Sequence, residues 1–277
     1  MPNPITPLTV SSIATGAFLV LCLLLLPTSR ANTEIPVSYL VLAQTVEPLM
    51  IVRDGDPMAG GLFTEIVKKV FEGSEYTVDP VVVPWQRMKD ELRQRRNWIT
   101  YGFREGFESD IPFELSNVPV FPFRHVAATL RDNNITIEKP EDVFGHTVIL
   151  VENFHYPGLD SYLTNPTEGS GSGQIQSVRA FSPEGTLRML RHRRGDIVFD
   201  WQARLVYNLT AADLALDEIR FQDASDIIPT KVMYFAYSPH WSMSFKQFID
   251  ARLQALLDDE TLDTILKKYS GPKSLLD

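Results

Sequence analysis

Strand-type and helix-type periodicity alternate along this chain, and the alternation runs through twice. Residues 38–45 (SYLVLAQT) read as a buried strand, and Asp54-Gly55-Asp56-Pro57 as a turn. Gly60-Gly61 then leads into a helix whose Leu62, Ile66, Val67 and Val70 share one face, with Lys68 and Lys69 outside. The β-branched stretch 77–83 predicts a strand, 85–95 a helix with Met88 and Leu92 four apart, and 99–103 a further strand. Strand–helix–strand–helix–strand is the signature of a parallel sheet with crossover helices.

A second series follows. Strands are expected at 125–130, 147–151, 178–181 and 196–199, with a helical turn at 140–144 and helices at 157–163, 183–193 and 201–209. Glu168-Gly169-Ser170-Gly171-Ser172-Gly173 is a surface loop. A last strand, 231–238, precedes helical spacing from Phe245 through Leu256 and from Leu262 to Tyr269. The expected fold class is therefore α/β, with two lobes, each a mostly parallel sheet flanked by helices, and with the final strand and helices returning to the first lobe. Two such sheets facing each other set the carboxyl ends of their strands across a cleft, where small ligands bind.

The 14-residue run 13–26 is uncharged and leucine-rich. A membrane span needs about 20 residues, so this length fits the apolar part of a secretory signal. Pro27 ends it, and Ser29-Arg30-Ala31 offers a cut after Ala31; a retained anchor is the alternative, since residues 1–12 carry no Lys or Arg. The single cysteine, Cys22, lies in this run, so an exported chain has neither a disulfide nor a thiolate. The formal charge of −9 argues against nucleic acid as a partner. The five histidines show no metal-ligand spacing, no cofactor fingerprint is present, and a Gly occupies the centre of Gly169–Gly173 where a nucleophile elbow needs its serine at the third position.

Five stretches resemble one family. They are Gly61-Leu62-Phe63-Thr64-Glu65-Ile66, Val83-Pro84-Trp85-Gln86-Arg87, Leu115-Ser116-Asn117-Val118-Pro119, Gly195-Asp196-Ile197-Val198-Phe199-Asp200, and the ending from Asp259-Glu260-Thr261-Leu262 to Lys267-Lys268-Tyr269. Their order is similar to that of the type II periplasmic solute-binding proteins, in the family 3 subgroup of polar amino-acid ABC transporters. The resemblance implies a first lobe of 35–130 plus 232–277 and a second of 131–231, hinged near Leu130-Arg131-Asp132 and at 228–231. It implies hinge closure on a small polar ligand, an inner-membrane ABC permease as partner, a monomer, and no chemistry on the ligand. A sensing module without a transporter and an enzyme on the same fold, dehydratase-like with Glu152, Asp200 or His155 as its acid, are the alternatives.

The resemblance also points to ligand-binding residues. Asp200 is the position whose carboxylate pairs with a ligand ammonium in amino-acid binders; as an isolated residue it equally caps the helix beginning at 201. Arg104, after the strand 99–103, either clamps a carboxylate or pairs with Glu105 or Glu108. It stands earlier than the family's carboxylate-holding arginine, whose place here falls at Glu108 or Ser109. Trp85 and Phe103 are candidate pocket walls or core residues, and Arg87 braces the cleft or pairs along its own helix. Asn153, Phe154, His155 and Tyr156 follow the strand 147–151 where the family's ligand turn lies, with Ser116 and Pro48 as further contacts.

Overall fold

The two alternating runs build two sheets with the same strand order. The computed structural model describes residues 1, 34–42, 46–104, 111–152, 154–164 and 173–270, with only the backbone of Trp85 and Gln86. Ile35–Asp277 makes up one compact unit. Residues 2–31 of the expected signal segment, with Cys22, and also Asn153 and residues 168–172 of the expected loop lie outside the described residues.

In the first sheet, β1 (Ile35–Leu42) lies between β4 (Tyr76–Val83) and β5 (Trp98–Phe103), both parallel to it. On the other side of β5, β13 (Lys231–Tyr237) runs antiparallel and carries two short edge strands, β6 (Glu114–Leu115) and β7 (Phe121–Phe123). In the second sheet, β9 (Thr147–Val151) lies between β10 (Gln176–Ala180) and β11 (Ile197–Trp201), all parallel. Antiparallel β8 (His125–Leu130) and β12 (Ile219–Asp223) follow beyond β11. A separate hairpin joins β2 (Ile51–Arg53) to β3 (Asp56–Gly60).

The expectation of mostly parallel sheets is corrected: each sheet is mixed. The reason is the path of the chain. β8 and β13 each follow directly after the chain has passed from one sheet to the other, so each enters its new sheet at the carboxyl end of the parallel strands and runs against them. The first crossing also sits earlier than expected. β8 belongs to the second sheet, which places the passage at Arg124, between β7 and β8, and not at Leu130-Arg131-Asp132. The second passage lies between β12, which ends at Asp223, and β13, which starts at Lys231.

Helices α1 (Leu62–Phe71), α2 (Trp85–Gln94), α5 (Met243–Asp258) and α6 (Thr261–Ser270) accompany the first sheet, and α3 (Pro183–Arg191) and α4 (Gln202–Asn208) the second. The face of α1 that the spacing marked as apolar is the one that is buried, with Leu62, Phe63, Ile66, Val67 and Val70 all in the core. Its start is set by Gly61, at φ 106°, where a Cβ would stand 2.7 Å from the Leu49 carbonyl oxygen. That approach lets the Pro48 and Leu49 carbonyls accept from Leu62 and Phe63 N–H, both at 2.9 Å, two of the donors a helix start leaves unpaired. The helix expected at 157–163 is reduced to a 3-10 turn, Asp160–Tyr162. Gly158 breaks it, with φ at 91° and the Ile227 carbonyl packed where a side chain would stand.

Candidate functional site

Parallel strands end on the same side of a sheet, and here both sets of carboxyl ends face one junction. From the first sheet come Phe103 at the end of β5, Phe123 at the end of β7 and Lys231 at the start of β13. From the second come Val151 at the end of β9, His125 at the start of β8, and Asp200 with Trp201 at the end of β11.

Aromatic rings join the two sides. Trp201 stacks on Phe123 (4.7 Å between centroids, 25°) and more distantly on Phe121 (6.1 Å, 11°). Phe123 packs edge-on to Phe103 at 5.6 Å and to His125 at 5.5 Å, and Phe103 edge-on to Tyr101 at 6.1 Å. Trp201 and Ala203 thus belong to the core of the first sheet although the second sheet carries them.

Asp200, the expected ammonium acceptor, is wholly buried and already has a cation. Arg204, one turn along α4, directs Nε to Oδ1 (2.8 Å) and Oδ2 (2.9 Å) of Asp200, and Nη2 to Oδ1. The Trp201 N–H adds a bond to Oδ1 at 2.6 Å. The guanidinium is 4.8 Å from the centre of the Phe154 ring, a cation–π contact. Burial works against the charge of Arg204, but the attraction of Asp200 outweighs it and holds its pKa above the ordinary value. The signal for this pair was the i, i+4 spacing of Asp200 and Arg204, a pairing distance on a helix surface.

His125 lies beside this pair. Its Nδ1 is buried with no hydrogen-bond partner among the described residues. Burial above all, with the Arg204 and Lys231 cations, holds its pKa down to about 4 against the pull of Asp200. Tyr101 is also buried, which pushes its phenol well up, and it lies within the field of Arg204.

The remaining expected residues divide. Phe103 and Phe154 are at the junction. Tyr156 is buried, and its hydroxyl accepts the Val151 N–H at 2.9 Å, so it buttresses the end of β9. His155 is exposed, with Nδ1 3.9 Å from Asp160 Oδ2. Arg104 points away from Phe103, because neighbours in a strand face opposite sides. Its Nε donates to the Tyr234 hydroxyl at 2.9 Å, and its guanidinium lies 4.7 Å from the centre of that ring. Ser116 holds an edge strand: Oγ donates to the Val118 carbonyl at 2.7 Å and accepts from Phe235 N–H at 3.2 Å. Pro48 is buried in the loop that starts α1. Trp85 begins α2, with its side chain outside the described residues, and Arg87 pairs along that helix with Glu91 at 3.7 Å.

A second contact links α4 to the first half, one that no motif marked. Arg53 grips Glu47 (2.5 and 3.0 Å), and the Tyr207 hydroxyl both donates to Glu47 at 3.0 Å and accepts from Arg53. Gln202 Nε2 donates to the Ser270 carbonyl at 3.2 Å. Among the described residues, no group of three or more His, Cys, Asp or Glu is placed to hold a metal ion.

No protein-family model and no curated protein matches this chain. Solved structures do. An ancestral cationic amino-acid solute-binding protein superposes with a TM-score of 0.66 at 14% identity, over 86% of this chain and 96% of the other. The probable amino-acid ABC transporter extracellular-binding protein ytmK from Bacillus subtilis gives 0.65 at 16%, over 86% and 99%. The periplasmic VFT2 domain of BvgS from Bordetella pertussis gives 0.60 at 19%, over 85% and 94%. The first two are of the kind that the five sequence motifs resemble. With its two mixed sheets, its crossings at Arg124 and before Lys231, and these similarities, the chain has the two-lobed periplasmic-binding-protein type II fold.

Proposed function

We propose that this protein captures a small polar solute in the cleft between its sheets and delivers it to a membrane partner, an ABC-type permease. The observation that carries this reading is the convergence of both sets of strand ends on one junction, where Tyr101, Phe103, Phe123 and Lys231 meet Asp200, Trp201 and Arg204. Side chains from both halves border that place, so a ligand there gains its full set of contacts only when the halves close. It then shifts the open–closed equilibrium by its differential affinity for the two states. The halves turn about the passages at Arg124 and before Lys231.

Export fits this role. The apolar run 13–26 and the small residues ending at Ala31 send the chain to the periplasm. Two neighbours in fold are named as binding proteins of amino-acid ABC transporters and a third as a cationic amino-acid solute-binding protein, so an amino acid or a similar small molecule is the class to test first. The absence of chemistry on the ligand is part of the proposal: the junction's carboxylate is tied to Arg204, which leaves it a poor general acid or base.

A sensing module is the second reading, favoured by the likeness to the BvgS domain and to a histidine-kinase sensor domain. Residues 32–277, screened by thermal shift against amino acids, carboxylates, polyamines and sugars, test capture directly. A ligand raises the apparent melting temperature by mass action, and silence across the whole panel contradicts capture. Binding of the ligand-loaded protein to a permease then separates transport from sensing.

A further inference from the structure

Resting on the cleft reading above, the Asp200–Arg204 pair has a consequence for what the cleft accepts. A ligand ammonium needs a carboxylate with free lone pairs. A carboxylate has about four acceptor positions. Oδ1 of Asp200 accepts from Nε and Nη2 of Arg204 and from the N–H of Trp201, and Oδ2 accepts from the same Nε, while the whole side chain is shut off from solvent. The Phe154 ring lies over the guanidinium. The carboxylate and its cation are both buried. An arriving amine would have to displace a charge that the chain supplies from one helical turn away, and breaking a buried pair is strongly unfavourable.

The charge left over is positive. Lys231, half-buried at the start of β13, has no ion-pair partner among the described residues, and its Nζ stands 6.0 Å from the centre of the Phe103 ring. Phe103 packs on Phe123, and Phe123 on both His125 and Trp201, so Lys231 shares one ring cluster with His125 and with the strand end that carries Asp200. Nη1 of Arg204 makes no bond to Asp200. The hydroxyl of Tyr101, a ring in the same cluster, has no hydrogen-bond partner among the described residues. We infer that the cleft takes a small carboxylate that carries no ammonium group, with Lys231 and Nη1 of Arg204 as its cationic partners.

Matched pairs of probes that differ only at the α-carbon decide this: pyruvate and alanine, 2-oxoglutarate and glutamate, phenylpyruvate and phenylalanine. Each is titrated by calorimetry into residues 32–277 of the wild type and of Lys231→Gln, a half-buried position whose change leaves the core intact. The expected result is binding of at least one 2-oxo acid, no binding of its amino-acid partner, and a loss of about tenfold or more in affinity in Lys231→Gln, about 1.4 kcal/mol. An amino acid that binds the wild type as well as its 2-oxo partner overturns the inference while leaving solute capture standing. Silence with every carboxylate also overturns it. If a sugar or polyamine then binds, capture survives with a different ligand, and if nothing binds, capture falls as well.

Discussion

The two sheets bring different materials to the same junction. The first ends in rings, Tyr101, Phe103 and Phe123, whereas the second ends in charge, Asp200 with Arg204 beside His125. Rings lose their water without penalty when Trp201 covers them, and stacking adds about 1 kcal/mol per pair. A carboxylate at full burial has no such freedom and must be paired. The second sheet therefore carries its own counterion, and its apparent ligand residue is completed from within. A residue in a family's ligand position is thus available only if its neighbours leave it so.

The comparison is sharpest where the charged side is broken. Asp200→Ala leaves Arg204 buried and uncompensated, and stability falls by roughly 3–5 kcal/mol in urea unfolding. On the aromatic side, Trp201→Ala removes the ring shared by the two halves and is expected to lose about 3 kcal/mol. A smaller loss than for Asp200→Ala would support the contrast, and a larger one would reverse it.

His125 adds a pH dependence. In the folded state its pKa lies near 4, below its ordinary value of 6.5, so between those limits the unfolded chain binds a proton that the folded one refuses. Stability is expected to fall as pH drops from 6.5 towards 4, by roughly 2 kcal/mol after allowance for partial exposure. His125→Phe should flatten that slope in melting curves taken across the range. The smallest effect concerns the link between the halves: Tyr207→Phe removes bonds to Glu47 and Arg53 at a partly exposed place and costs about 0.5–1 kcal/mol in the same unfolding assay.

Much of the fold was legible from periodicity. The strand 125–130 and the helix from Leu62 lie where the spacing put them, because long apolar patterns report burial directly. The hairpin β2–β3 was legible only as its turn, Asp54-Gly55, since its strands are short and have no buried residue to set a pattern. β12 was missed because its alternating Ile219, Phe221 pattern is brief. The sheets were misjudged as mostly parallel because the direction of a strand after a crossing leaves no mark in its composition.

At the site, Asp200 stood out from its motif, but Arg204 hid inside a helix read only as a flank. Arg104 and Phe103 are adjacent in sequence, but the pleat of a strand sends consecutive side chains to opposite faces, so only Phe103 reaches the junction. Phe123, His125 and Lys231 became visible only when the path between sheets was known, since nothing local distinguishes a strand end at a cleft from one at a surface.

Asp200 and Arg204 act as one unit, and a double-mutant cycle measures that unit directly. Asp200→Asn, Arg204→Met and the double variant would be unfolded in urea beside the wild type. The double variant is expected to be more stable than the sum of the single losses allows, with a coupling of about 2 kcal/mol or more. Additive losses would contradict it, because they would mean that Asp200 stands unpaired and open to a ligand's ammonium.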